Sequence, residues 1–198
     1  SNDPYALRRA AAGLIRILEK FDWHFNLSAL TENQELFAFV VDRVKKLSAD
    51  REIRHDLIEA AVSRTDGDVV AMLKMAKILE SHKNHPPFKP TMEAVTRVNN
   101  ILAKNQTEAI VNPELFEEAA ETVLYQALQP AKHSFDSLSL EDKFRTVVHT
   151  LTAAINGYFD AVMVLSDDES QRHNHLALLQ EVKQLTDQLG DLSLVNSK

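Results

Sequence analysis

Glycine is scarce, with four in 198 residues, about 2 % against a usual ~7 %. A β-rich fold needs glycine at many turns, and a loop that cradles phosphate needs several close together. Neither GxGxxG nor GxxxxGK(S/T) occurs, which excludes nucleotide binding by those two routes. Cysteine is absent, so there are no disulfides, thiolate metal sites or thiol nucleophiles; this fits a reducing compartment. No apolar run approaches the ~20 residues that a membrane-spanning helix needs, and no signal peptide is visible.

What is present is ordinary globular composition, 44 % apolar and 26 % charged, enough for a core in one domain of residues 1–198. Ser1-Asn2 reads as a protease scar before a helix start, and the chain as a piece excised from a longer protein. Residues 191–198 read as a flexible tail. The net charge of −7 argues against nonspecific nucleic-acid binding. It is unevenly spread: residues 1–104 carry 16 Lys+Arg against 14 Asp+Glu, and residues 105–198 carry 6 against 15. A local basic face in the first half stays open.

Helical periodicity runs through nearly the whole chain, and no strand pattern or internal repeat interrupts it. Asp3 caps a first helix with Pro4 at its first position, and Leu7, Ala11, Leu14, Ile15 and Leu18 recur along it. Residues 22–30 read as a connector rich in large residues. Thr31-x-x-Gln34 reads as a capping box for a second helix to about Ser48. A third spans about Arg51 to Ser63, and a turn at Asp66-Gly67-Asp68 leads to a fourth with Val69, Leu73, Ala76 and Leu79. His82 to Pro90 is the clearest break. A fifth helix covers about 91–104, and Asn112-Pro113 opens a sixth to about Leu128. Residues 129–138 read as a loop. Ser139 opens a seventh helix through Tyr158, and Ser166 an eighth to Leu189 with Gly190 as its stop. The expected class is all-α, a bundle of about eight helices.

The helix faces supply candidate residues. On the first helix Leu7, Leu14 and Leu18 lie together at 100° per residue, and Arg9, Gly13, Arg16 and Lys20 lie opposite. This is either a solvated face or one where Gly13 lets a bulky anion approach. Arg43 sits among Leu36, Val40 and Leu47, as a buried ion pair or a ligand contact. Arg97, Asn100 and Lys104 share the polar side of the fifth helix, opposite Met92, Val95, Val98 and Leu102. Arginine with asparagine suits bases and phosphates, and a plain solvated face fits equally. On the eighth helix Arg172 and His175 share a side with Leu176, Leu179 and Val182, which predicts a structural pair with Asp160 or Asp167. Trp23 and Phe25 either pack in the core or stack on a base.

No catalytic constellation stands out. His82-x-x-His85 lies beside Pro-Pro, and His173 and His175 diverge on a helix, so neither is a metal signal without a third ligand. No serine sits in a GxSxG elbow. Asp167-Asp168-Glu169 reads as first-turn charge favoured by the helix dipole. No catalytic and no metal-binding residue is assigned.

Ordered segments carry a family resemblance. Asp3-Pro4-Tyr5-Ala6-Leu7-Arg8-Arg9 resembles the DPFALRR segment of the bacterial glycyl-tRNA synthetase β subunit. Phe39-Val40-Val41-Asp42-Arg43-Val44 resembles its FxLDRL segment. His55-Asp56-Leu57 through Ala60-Ala61-Val62 is similar to the stretch that follows. Arg97-Val98-Asn99-Asn100-Ile101-Leu102 resembles KRVxNIL. Tyr158 to Val164, then Arg172-His173-Asn174-His175-Leu176 to Leu179, resemble FFDxVMV and RxNRLxLL. None is specific alone; together they run in order over nearly the whole chain.

The resemblance implies a DALR-type anticodon-binding bundle, also seen in arginyl-tRNA synthetases. It implies a parent of two α and two β subunits that joins glycine to its tRNA in the cytoplasm, using ATP and Mg²⁺ at a site mainly on α. This fragment would hold the tRNA(Gly) anticodon arm without cofactors or chemistry of its own, and without DNA or membrane partners. Arg9, Arg16, Lys20, Arg97, Asn100 and Lys104 are the candidate tRNA contacts. Arg8, Arg43, Arg172 and Asn174 match family motifs and are assigned to scaffold. Thr96 and His175 replace a family Lys and Arg, and so remove permanent positive charge. The alternatives are a helical protein-interaction module for subunit assembly, with the acidic half as docking surface, and a DALR domain of an arginyl-type enzyme.

Overall fold

The computed structural model describes residues 4–30, 32–64 and 66–196, apart from the side chains of Pro4, Tyr5 and Leu30. The described residues are helical with no strand, so the all-α class holds. The cap expected at Asp3 lies outside them. By internal packing the chain forms two compact units where the sequence suggests one domain: residues up to Lys83 together with Leu189–Asn196, and Asn84–Gln188. The boundary falls inside the His82–Pro90 break.

The first unit holds α1 (Pro4–Phe21), the single-turn α2 (Leu27–Leu30), α3 (Gln34–Ala49), α4 (His55–Val62) and α5 (Val69–His82). Its core is the α4–α5 pair: Ala60, Ala61 and Ala76 let the helices approach, and Leu57, Ile58, Met72, Leu73 and Leu79 fill the space. Val44 and Leu47 of α3 and Ile15 and Leu18 of α1 complete it. Two caps set the register. Asn33 accepts the N–H groups of Glu35 and Leu36 at 3.0 and 3.1 Å. Asp68 accepts those of Val70 and Ala71 at 3.0 Å. Asn33 thus takes the cap assigned to Thr31, which lies outside the described residues. Part of the expected connector at 22–30 is helical, because Asn26 accepts the Ala29 N–H at 3.0 Å and starts a turn.

The tail expected from residue 191 is packed through Asn196. Leu192 and Val195 are buried in this unit. The Asp191 N–H donates to the Ala60 carbonyl at 3.1 Å, and Asn196 N–H donates to Asp56 at 2.7 Å. Gly190 has φ +104°, and a Cβ there would lie 2.2 Å from the Ala60 carbonyl oxygen. Only glycine allows that approach.

The second unit holds α6 (Phe88–Leu102), α7 (Ala119–Ser134), α8 (Leu140–Thr146), a π-helical turn (Val147–Leu151), α9 (Thr152–Ala161) and α10 (Glu169–Thr186). Met92, Val95 and Val98 of α6 pack with Leu124 and Leu128 of α7, Ile155 and Tyr158 of α9, and Leu176, Leu179 and Val182 of α10. Three expectations are corrected. Asn112-Pro113 opens only a 3₁₀ turn, and α7 starts at Ala119 behind the Glu118/Glu121 capping box. Residues 129–134 are helix, not loop: Pro130 lacks a donor, yet Leu128, Ala131 and Phe135 around it are buried. Asp168, not Ser166, caps α10 by accepting the Gln171 N–H at 2.9 Å.

Candidate functional site

The predicted contacts fall in both units, with Arg9, Arg16 and Lys20 in the first and Arg97, Asn100 and Lys104 in the second. On α1, Arg9, Arg16 and Lys20 are exposed, as is Arg8. Gly13 lies among the basic residues, and a Cβ there would meet nothing within 4 Å, so packing does not require the glycine. The apolar side differs from expectation. Ile15 and Leu18 face the core, whereas Leu7 and Leu14 are exposed. Helix geometry explains this: with Ile15 and Leu18 inward, Leu7 and Leu14 sit at the edge of that face.

On α6, Arg97 and Asn100 are exposed, as is Lys104 in the turn just past its end, while Met92, Val95, Val98 and Leu102 are buried. The Arg97 guanidinium carbon lies 4.2 Å from the centroid of the Phe159 ring. That stack fixes the guanidinium plane and leaves its N–H edge available. Phe159 lies 62 positions away on α9, and its ring is mostly buried. Sequence reasoning placed Phe159 only in a family motif; no periodicity links it to Arg97.

Ion pairing separates the cations of the first half into two groups. Lys45, Lys46, Arg51, Arg54, Arg64, Lys74, Lys77, Lys83 and Lys89 each meet a carboxylate. Arg9, Arg16, Lys20, Arg97 and Lys104 meet none among the described residues. The near-balance of the first half therefore hides a separation: most charges cancel in pairs, and the predicted contacts keep theirs. The tightest cancellation is at Glu19. Arg51 donates two hydrogen bonds to it at 2.8 and 2.6 Å, and Lys77 donates one at 2.7 Å. The Arg51 bonds chiefly, then Lys77, hold the Glu19 carboxyl at about 2, well below its ordinary value.

The residues assigned to scaffold have specific places. Asn174 is buried; its side chain accepts the Asn112 N–H at 2.7 Å and donates to the Asn112 carbonyl at 3.1 Å. It thereby fixes the segment between α6 and α7. Arg172 donates to the Ser166 carbonyl at 2.8 Å and ties down the start of α10. Arg43 is half-buried over the Phe39 ring at 5.4 Å, without the ion pair predicted for it among the described residues. Trp23 is exposed and stacks on Phe21 with 5.2 Å between centroids. It is not a core residue.

His175 does not pair with Asp160 or Asp167. It is buried with Glu121, whose Oε1 lies 3.2 Å from its Nε2, within ion-pair distance but not aligned as a hydrogen bond. Its Nδ1 lies 3.2 Å from the Val164 carbonyl. Oxygen atoms thus lie close to both ring nitrogens. Glu121 Oε2 accepts the N–H groups of Glu117 and Glu118 at 2.9 and 2.8 Å. Burial, and then the Glu121 charge, push the nearby Tyr158 phenol up. No sequence spacing joins positions 54 apart, so the pairing was not legible.

A cavity of about 610 Å³ in the first unit is lined by Phe37, Val62, Ser63 and Arg64, and none of the predicted contacts borders it. Among the described residues no group of three His, Cys, Asp or Glu side chains could hold a metal ion. None of their helices is long and apolar enough to cross a membrane.

Comparison with known proteins follows the division of the chain. Residues 1–63 match the family model described as glycyl-tRNA synthetase beta subunit. Residues 91–192 match the model of the DALR anticodon binding domain. The glycine–tRNA ligase beta subunit of Lactococcus lactis subsp. cremoris (strain SK11) is 44 % identical over 204 residues, which cover 100 % of this chain and 30 % of that protein. The corresponding protein of Lacticaseibacillus casei (strain BL23) is 38 % identical over 215 residues, 98 % of this chain and 31 % of the relative. The chain therefore spans about a third of the curated relatives it matches.

Proposed function

We propose that this chain, which belongs to the DALR anticodon binding domain family, recognises the anticodon arm of tRNA(Gly) as part of a glycine–tRNA ligase beta subunit. The family match covers most of α6 and all of α7, α8, α9 and α10. The observation that carries the reading is Arg97: exposed, without a carboxylate partner among the described residues, and stacked on Phe159. Unpaired anticodon bases present their edges and faces to such groups, while cations beside them fix phosphates. Arg97 and Asn100 contact base or backbone, and Lys104 adds a cation just past the end of α6. Arg9, Arg16 and Lys20 contact tRNA backbone from the first unit. Asn174, Arg172 and the Glu121–His175 pair act through the scaffold.

In this reading the chain positions tRNA, and ATP- and Mg²⁺-dependent attachment of glycine takes place outside it. An alpha subunit in a two-alpha two-beta assembly and a cytoplasmic setting complete the proposal. Filter binding tests it, with tRNA carrying a glycine anticodon against tRNA with one anticodon base changed. The changed base should weaken binding by roughly tenfold, the size of one lost base contact of ~1–3 kcal/mol. Equal affinity for both, or no binding at physiological salt, refutes anticodon recognition by this chain.

A further inference from the structure

We infer that the outward apolar face of α1 is an interface for the part of the beta-subunit polypeptide that lies outside this chain. Leu7, Ala10, Leu14, Ile17 and Phe21 recur at i, i+3, i+7, i+10 and i+14 along α1. That alternation of three and four marks a continuous helix-packing seam. Leu7, Leu14, Ile17, Phe21 and the adjoining Trp23 are each between 48 % and 59 % exposed. Ile15 and Leu18 on the neighbouring face are buried, so the seam is separate from the face that packs into the first unit. A soluble helix seldom leaves such a row in water; isolated exposed leucines are ordinary, contiguous ones mark contacts.

Three observations select the occupant. About seven-tenths of each curated relative lies outside the matched stretch, so in those proteins a large partner lies within the same polypeptide. The seam lies in the segment that matches the beta-subunit model, not in the DALR segment. The seam residues themselves carry no charge; Arg9 and Arg16 lie across the helix, and Lys20 reaches over the Phe21 ring only at the seam's end, 5.5 Å from its centroid. A nucleic acid would use that basic side, and an apolar helix face would use the seam. The partner is accordingly an amphipathic helix, or a pair of them, with its own row of apolar residues. This inference rests on the beta-subunit assignment and not on tRNA recognition.

The absence of cysteine permits a direct test. Leu14→Cys is placed in this chain and in the Lactococcus lactis beta subunit whose matching stretch is exchanged for this chain. Maleimide labelling is read on the peptide that contains it. Labelling should be slower by roughly tenfold or more in the full-length subunit, as for a site exposed only by local opening. Arg16→Cys, on the other side of α1, should label at similar rates in both. Hydrogen exchange of residues 7–21 without any cysteine should give the same contrast. Equal labelling and equal exchange in both settings overturn the inference. Slow labelling in the 198-residue chain, together with a dimeric mass, overturns it in favour of a second copy. Protection of Leu14→Cys by added tRNA alone overturns it in favour of RNA. Loss of anticodon discrimination in filter binding would leave the labelling contrast in place, so the two proposals fail separately.

Discussion

Glu121→Ala should be among the most damaging single changes in the second unit. Glu121 is 1 % exposed and does two jobs. Its Oε2 satisfies two backbone N–H groups at the start of α7, and its Oε1 faces His175, itself 7 % exposed. Loss of a helix cap costs about 1 kcal/mol. Leaving the buried His175 ring without the carboxylate oxygen that faces it adds about 1–3 kcal/mol. The expected total is about 2–4 kcal/mol, a large share of an ordinary domain's stability. Glu121→Gln retains an oxygen for the cap N–H groups and should lose about half as much. Urea denaturation followed by far-ultraviolet circular dichroism measures both. A loss below about 1 kcal/mol for Glu121→Ala would refute the argument, because the cap on its own accounts for about that much.

Acid should weaken the first unit through Glu19. Its carboxyl is depressed to about 2 from an ordinary 4.5, so its contribution is complete above about pH 4.5 and is lost as pH falls toward 2. Partial exposure of Arg51 and Lys77 discounts the full shift to about 1–2 kcal/mol. Glu19→Gln should flatten that acid limb, and coincident limbs would contradict it. Gly190→Ala should cost about 2–4 kcal/mol, since its Cβ would meet the Ala60 carbonyl at 2.2 Å with φ at +104°; faster hydrogen exchange over 189–196 would register the detachment. Phe159→Leu removes the ring beneath Arg97 while keeping apolar bulk. It should weaken tRNA binding about two- to fivefold, the size of an exposed cation–π contact, without changing the salt dependence. An unchanged affinity would separate Arg97 from the proposed contact.

Helix existence was readable wherever apolar residues recur every three to four positions, as in α3, α5, α6 and α10. Periodicity fixes which residues can share a face. It does not say which of two adjacent faces meets the core. On α1 the pattern grouped Leu7, Leu14 and Leu18, yet only Leu18 of these is buried. Boundaries failed where distant packing outweighed a local signal. Pro130 reads as a break, but α7 passes through it because its neighbours are buried. The exposed positions of Arg97, Asn100 and Lys104 were legible because they oppose a clean apolar side. Their platform was not, because Phe159 comes from another helix.

By itself, then, the sequence determined the helical class, the exclusion of Rossmann and P-loop phosphate sites, the ordered family segments and the cations set against an apolar face. Each follows from residue type and short-range spacing. Tertiary structure decided which cations keep their charge, because ion pairs such as Arg51–Glu19 join residues 32 positions apart. It likewise turned an expected tail into a packed segment, since the fit of Gly190 against Ala60 brings together residues far apart in the chain. Pairing across such distances is set by packing, and no local periodicity records it.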